Sequence, residues 1–316
     1  MIPQEWLQAA MARIRPTAIV TPITEDPQRG FFLKWENRQV TGSFKLRGAL
    51  NKVVSLEDWE RKRGLVTCSA GNHGQGVALA ARQTGSEVIV FASDHAISAK
   101  VEAMRNLGAD VRLVNGGYAL AEKTARDYAA QHSMTFISPY NDGQVIAGQG
   151  TIGLELIDQI HNLATVESIY IPVGGGGLLS GIASAFAGLE NRPRVVGVQS
   201  EASLYMHALF YSGTQDGVSE TPSIADGLAG AVEEGSITIP LVQELADEIM
   251  PISEEEIERA IRFCWNTYHE IIEGSAAAAL AGALRAEHRT ESKIVVISGG
   301  NIQPEEFNRI CGPGKE

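Results

Sequence analysis

The sequence is short of the features that would send a protein outside the cell, into a membrane or onto nucleic acid. Its three cysteines, Cys68, Cys264 and Cys311, lie far apart and form no CxxC pair. Neither a disulfide framework nor a thiolate metal site is expected, and a cytoplasmic address follows. The seven histidines show no metal-ligand spacing, so they are read as structural or surface residues. Positive charge is scarce: 26 Lys and Arg against 38 Asp and Glu leave a net charge of −12. That balance repels nucleic acid and anionic membranes, and a small molecule is the better partner. Glu5, Arg13 and Arg15 interrupt the N-terminal segment, which therefore lacks the apolar core of a signal peptide. The longest apolar run, residues 276–284, falls well below the roughly 20 residues of a membrane span. There is no low-complexity tract and no repeat of fixed period.

What the chain does have is glycine, 33 residues of it, in a sequence that is 44% hydrophobic. This suits an α/β protein with many tight strand-to-helix turns. Strand patterns at residues 65–68, 87–92, 110–114 and 135–137 alternate with helix patterns at 74–82, 99–106 and 118–131. Such alternation predicts parallel strands joined by right-handed crossovers. A second set follows, with strands at 168–173, 194–199 and 293–297 and a helix at 178–189. Between them Ser253 and Glu256 form a capping box, and Ile257, Ala260, Ile261, Cys264, Tyr268 and Ile271 recur at helical spacing as core. The tryptophans and tyrosines, Trp265 included, are also read as core. The length predicts two domains sharing a cleft: a larger one from 1–63 and 142–316, and a smaller one, 64–141, inserted into it.

Four segments carry chemistry. In Thr41-Gly-Ser-Phe-Lys45-Leu-Arg-Gly, Ser43 is placed to cap a helix that begins at Phe44 and runs toward Val54. Lys45 then lies in the first turn, where the helix dipole and desolvation both lower the pKa of an amine and make it a nucleophile and base. Judged alone, it would be a solvated surface lysine. The run Gly174, Gly175, Gly176, Gly177, Leu178 stands where a strand meets a helix. Four glycines allow the backbone to fold closely round an anion, and the helix end offers unpaired N–H groups. No Gly-Lys-Ser/Thr follows, and the spacing is not GxGxxG. The run reads as a phosphate cup, and in isolation as a tight turn. Ser69-Ala70-Gly71-Asn72-His73-Gly-Gln-Gly76 also opens a helix after a strand, and its amides suit a carboxylate. Finally, Ser298-Gly-Gly-Asn301 puts a hydroxyl at the carboxyl edge of the last strand, the usual ligand side of such sheets.

Together with Lys34-Trp-Glu-Asn, these segments closely resemble, in order and over nearly the whole chain, the threonine dehydratase/serine racemase family of fold-type II pyridoxal phosphate enzymes. The resemblance implies an α/β fold of two doubly wound, mostly parallel domains with the cofactor, pyridoxal 5'-phosphate, in the cleft between them. It makes 64–141 a mobile domain bearing the substrate loop. Lys45 would bind the cofactor aldehyde, Phe44 would lie against the ring, Asn72 would bond the ring hydroxyl, and the amides of Gly174 to Leu178 would hold the phosphate. Ser298 would face the pyridine nitrogen. As a neutral hydroxyl it cannot keep that nitrogen protonated, which weakens the electron sink and favours β-elimination over transamination. Glu273 matches an acidic position near the cofactor. Ser69, Ala70, Gly71, Asn72 and His73 would form the substrate-carboxylate loop. The implied reaction is dehydration of L-threonine or L-serine to an α-keto acid and ammonia, with Lys45 removing the Cα proton. A homodimer is implied as well.

Departures from the family pattern refine this expectation. Racemising relatives carry a second serine where this chain has Ala70, so elimination is expected to predominate over racemisation. Metal-stimulated relatives carry an acid where Gln199 stands and another a few positions on; here Ser203 and Tyr205 follow, with Glu201 nearby, so no tightly bound divalent metal is expected in that site. The short stretch after Asn301 leaves no room for a regulatory domain, and feedback by isoleucine is not expected. Dehydration of a substituted serine, such as 3-hydroxyaspartate or a hydroxyectoine-derived compound, remains open. So do serine racemase activity and a noncatalytic protein that only binds pyridoxal phosphate. β-Replacement is disfavoured by the Ala-Gly-Asn-His and Phe-Lys-Leu-Arg signatures. Selectivity for the side chain belongs to the loops around 139–143 and 222–227.

Overall fold

The computed structural model describes residues 1–286 and 292–312. Its strands are β1 (Ile23–Asp26), β2 (Phe31–Trp35), β3 (Leu65–Cys68), β4 (Val88–Ser93), β5 (Asp110–Val114), β6 (Thr135–Phe136), β7 (Val166–Pro172), β8 (Arg194–Ser200), β9 (Glu248–Ile252) and β10 (Ser292–Ile297). They form two sheets. One runs β1-β2-β10-β7-β8-β9 and the other β5-β4-β3-β6. Every pairing is parallel except that of β1 with β2. The central strands are rich in Val and Ile, and β3, β7 and β10 are buried almost throughout, as parallel strands covered on both faces must be. Within the described residues, no helix is long and apolar enough to cross a membrane.

The carboxyl ends of three strands deliver three of the predicted segments. Ser69 follows β3, Val173 and the glycines follow β7, and Ser298 follows β10. Open parallel sheets bind ligands at this edge because the helices that start there point their unpaired N–H groups toward it.

The helix that carries Lys45 is fixed by two devices. Its residues Leu46, Ala49, Leu50 and Val53 share a core with Leu65, Val77, Val88 and Val90 of the four-stranded unit. Behind it, helix Gly143–Gln159 approaches so closely that glycines are required. A Cβ on Gly148 would lie 2.5 Å from the Arg47 carbonyl oxygen and 2.6 Å from Gly48 Cα. On another face of helix Gly143–Gln159, a Cβ on Gly181 of helix Gly177–Phe186 would lie 2.5 Å from the Ile146 carbonyl oxygen. One helix thus keeps the lysine helix and the glycine-loop helix in register. A buried charge cluster reinforces it: the Arg47 guanidinium bonds Glu36 at 2.7 Å and Glu155 at 2.5 Å, and Lys34 Nζ bonds Glu155 at 2.5 Å. Two cations face two anions, so none of the four is left unpaired inside the protein.

Several expectations need correction. Ser43 does not cap the lysine helix, which spans Lys45–Ser55 with Phe44 as its N-cap. The backbone of Ser43 is extended in a bridge with Gly299, and its buried hydroxyl has no partner among the described residues. Tertiary pairing has overridden the local capping preference. Helix Glu254–Tyr268 begins with the predicted capping box but stops at Tyr268, because His269 turns left-handed with φ 57°. Ile271 therefore lies outside the helix and is 45% exposed. Of the four tryptophans only Trp35 is core: Trp6 and Trp59 are exposed, and Trp265 is half-buried, edge-on to Phe307. Helix Gly177–Phe186 ends short of Leu189, and helix Asn72–Thr84 starts two residues before the predicted position.

Candidate active site

Lys45 is the first residue of its helix. Its Nζ donates to the Pro139 carbonyl at 3.0 Å and lies 5.3 Å from the centroid of the Phe44 ring. Burial pushes its pKa down from 10.5 to about 8, against the opposing charge of Glu273. The predicted direction holds, and desolvation is its first cause. A lysine so placed has a sizeable free-amine fraction near neutral pH, as a nucleophile and base requires.

The chain continues from Pro139 directly into the glycine loop's neighbour. The Tyr140 ring packs so tightly over Gly175 that a Cβ there would come within 2.5 Å of it, and a Cβ on Gly177 would lie 3.0 Å from Tyr140 Cβ. Gly176 has φ +85° and a Cβ there would touch Met206, Val242 and Thr238. These contacts and this conformation explain why the segment is glycine. The amides of Gly174, Gly175, Gly176, Gly177 and Leu178 find no acceptor among the described residues. Five unused donors at the start of a ten-residue helix form a ready anion cradle.

A second set of free donors lies on the opposite wall. The amides of Ala70, Asn72, His73 and Gly74 likewise have no acceptor among the described residues, whereas Gly71 N–H donates to Ser69 Oγ at 3.1 Å. The cup abuts the lysine, since a Cβ on Gly76 would lie 3.2 Å from the backbone carbon of Lys45. The His73 ring contributes differently from its backbone. Burial pushes its pKa down to about 3, so the ring is neutral, and Nε2 faces the Ile137 carbonyl at 3.1 Å. Nε2 must then carry the hydrogen, which leaves Nδ1 an acceptor without a partner among the described residues. An acceptor cannot bond a carboxylate, so only the amide of His73 suits that task.

Asn72, Glu273 and Asn301 knit the two walls together. Asn72 Nδ2 donates to the Glu273 carboxylate at 2.8 and 3.0 Å, and Asn72 Oδ1 accepts from Asn301 Nδ2 at 2.7 Å. A ring hydroxyl bound to Asn72 would share Nδ2 with Glu273. Burial pushes the Glu273 carboxyl up to about 7, with the Asn72 bond pulling the other way. The Ser298 backbone oxygen accepts the Phe44 N–H at 3.0 Å, and the buried Ser298 side chain stands at the end of β10. All the segments singled out in the sequence therefore meet in one cleft.

Sequence reasoning missed the Pro139 carbonyl, the Tyr140 ring and Asn301 as participants. The first two lie in the loop assigned to selectivity, and Asn301 closes the Ser-Gly-Gly-Asn motif. At the position where a metal was in question, Gln199 Oε1 accepts the His207 amide at 2.9 Å. Among the described residues no three His, Cys, Asp or Glu side chains cluster as ligands.

The donor set fits pyridoxal phosphate: a lysine with lowered pKa for the aldehyde, five unused amides for the phosphate, and a neutral hydroxyl for the ring nitrogen. Comparison with known proteins agrees. A family model described as pyridoxal-phosphate dependent enzyme matches residues 12–300. The chain is 41% identical over 284 residues to L-threonine ammonia-lyase of Thermotoga maritima, spanning 90% of this chain and 70% of that protein. It is 39% identical over 285 residues to the catabolic L-threonine dehydratase TdcB of Escherichia coli, spanning 89% of this chain and 85% of that one. Among solved structures, the processed form of threonine deaminase isoform 2 from Solanum lycopersicum superposes with a TM-score of 0.89 at 30% identity over 97% of this chain and 91% of that one. Maize serine racemase gives 0.89 at 29% identity, covering 96% and 95%.

Proposed function

Because the chain belongs to the family of pyridoxal-phosphate dependent enzymes, with the fold-type II architecture of threonine deaminase and serine racemase, we infer that it is an ammonia-lyase. It converts L-threonine or L-serine to an α-keto acid and ammonia. The observation that carries this reading is the placement of one amine of lowered pKa, Lys45 Nζ, a single residue's step from the unused amides of the glycine loop.

Pyridoxal phosphate, when bound, conjugates the substrate nitrogen to an electron-withdrawing ring and so stabilises charge that develops at Cα. The chain's own residues do the rest. Lys45 Nζ would hold the aldehyde in the resting enzyme and, once freed, accept the Cα proton. The amides of Gly174, Gly175, Gly176, Gly177 and Leu178 would grip the phosphate, and Phe44 would lie against the ring. Asn72, steadied by Glu273 and Asn301, would orient the ring hydroxyl, and Ser298 would meet the ring nitrogen without protonating it. Ser69 and the free amides of Ala70, Asn72, His73 and Gly74 would bind the substrate carboxylate, with Gly71 N–H tied to Ser69 Oγ to shape the loop. The reaction breaks the Cα–H and Cβ–O bonds: the Cα proton would pass to Lys45 Nζ, and the β-hydroxyl would take up a proton and leave as water. Water then hydrolyses the released enamine to keto acid and ammonia.

The methyl side chain of Ala70 offers no acid or base on the far face of Cα, which favours elimination over racemisation. We assign cofactor binding to 1–63 and 142–316 and the mobile substrate loop to 64–141, a division supported by the two separate sheets. We also assign a homodimer acting in the cytoplasm, in keeping with the unpaired cysteines and with the family resemblance. The test is direct. The cofactor-loaded enzyme reduced with borohydride should carry a pyridoxyl label on Lys45, and intact enzyme should form keto acid from L-threonine and L-serine faster than it forms D-serine. A label elsewhere, or D-serine keeping pace with pyruvate, would overturn the reading.

A further inference from the structure

Resting on the elimination reading, we propose that Lys100 is a substrate-binding residue whose ammonium faces the substrate carboxylate at the 70–74 amides, held in place by Asp226 from the opposite wall of the cleft. Lys100 belongs to helix Ser98–Asn106 of the four-stranded unit. Its side chain lies along the carboxylate cup: a Cβ on Gly71 would be 3.6 Å from Lys100 Cδ and 3.8 Å from Nζ. From there Nζ reaches Asp226 Oδ2 at 3.1 Å.

Asp226 is rooted in the other unit. It opens the turn Asp226–Leu228, where Gly227 N–H donates to Ser275 Oγ at 3.1 Å. That turn packs on the glycine loop, since a Cβ on Gly174 would be 3.0 Å from Leu228 Cα. The pair thus spans the cleft beside both anion cups, within one of the two loops that the sequence assigns to selectivity.

Stability does not account for the arrangement. The Lys100 side chain is only 15% exposed, yet its partner is 64% exposed. An ion pair to so accessible a carboxylate contributes less than the freedom lost in covering and ordering a lysine. Charge supplies the missing reason. The four amides offer dipoles, and the His73 ring is neutral, so none of them brings a full charge to a carboxylate. In the protein alone, the Lys100 ammonium is matched by the Asp226 carboxylate. An arriving amino acid adds a carboxylate next to Gly71, and the ammonium already there can bond it and Asp226 together, because it has three hydrogens.

The test uses holoenzyme and substrates that differ only in that charge. Ammonia release is measured from L-threonine and L-threoninamide in wild type, Lys100→Met, Lys100→Arg and Asp226→Asn. Lys100→Met should raise KM for threonine by about tenfold or more, as expected for loss of a charge-assisted contact. Its kcat should change little, KM for the amide should stay as in wild type, and Lys100→Arg should recover most of the loss. Asp226→Asn should disturb threonine less than Lys100→Met does. In parallel, glycine and glycinamide are titrated while the cofactor absorbance is followed, with melting temperature as a check on folding. Lys100→Met should weaken glycine by the same factor and spare glycinamide. Equal effects on acid and amide, or none on either, would refute the role of Lys100. Wild type that binds glycine but releases no ammonia from any hydroxyamino acid would refute the elimination reading instead, while the glycine titration still decides the role of Lys100.

Discussion

Two titrating groups in the cleft depend on each other. Lys45 is pushed down to about 8 by burial, and the nearby Glu273 carboxylate resists that fall. Glu273 is itself pushed up to about 7, so it is mostly ionised by the pH at which half of the Lys45 amine is free. If the free Lys45 amine removes the Cα proton, kcat must rise with pH along a limb that follows that amine's loss of its proton in the substrate complex. Glu273→Gln removes the negative charge that favours the ammonium, so the amine becomes free at lower pH. The limb should shift toward acid, while an amide oxygen at 273 still accepts from Asn72. A pH profile of ammonia release from saturating threonine measures this, and an unshifted or alkaline-shifted limb would separate Glu273 from the lysine. The Phe44 N–H bonds the Ser298 carbonyl, and that the segments of Lys45 and Ser298 come together was legible in the sequence. The partners of Lys45 were not: a backbone carbonyl from Pro139 has no residue signature, and the Lys100–Asp226 pair joins positions that only the fold brings together.

Elements were read with similar unevenness, for a similar reason. The strands β3, β5 and the core of β10 were plain because hydrophobic runs bounded by turns report burial directly. Ser43 was misread because a local capping preference is weaker than its pairing with Gly299. The helix that organises the cleft was missed altogether. Its signal was present as Gly148, Gly150 and Gly153 inside a helix of 17 residues, where glycine costs about 1 kcal/mol relative to alanine and needs a packing reason. That reason is the backbone contact with the lysine helix. Gly148→Ala would place a methyl group against the Arg47 carbonyl and Gly48 Cα, neither of which can rotate away. It should destabilise the fold by about 1–3 kcal/mol and lower kcat by displacing Lys45. Gly188→Ala, where a Cβ meets nothing within 4 Å, is the control. Denaturant unfolding of both variants measures the difference, and equal stabilities would show that the helices part without cost.

At the scale of the molecule, the two sheets supply opposite walls of one cleft, and the ligands proposed here would touch both. The glycine cradle follows β7 of the six-stranded sheet, the Ser69 loop follows β3 of the four-stranded sheet, and Asn72 reaches Glu273 across the gap. The cofactor should therefore stabilise the assembly of both units rather than one wall alone. A ligand at a hundred times its Kd adds about 2.7 kcal/mol, which for a chain of this size raises Tm by several degrees. Stripping pyridoxal phosphate should lower Tm by that order and restoring it should reverse the loss. Lys45→Ala separates the two means of holding it, since the phosphate cradle is intact and the aldehyde has no amine. Its Tm should still rise with added cofactor, but by less than in wild type and with a half-maximum at higher concentration. Should Lys45→Ala respond as strongly as wild type, the amine would contribute nothing to holding the cofactor. Should it not respond at all, the five free amides would be too weak an anion site to act without the lysine, and the glycine loop would serve only to bring Tyr140 and the Asp226 turn into contact.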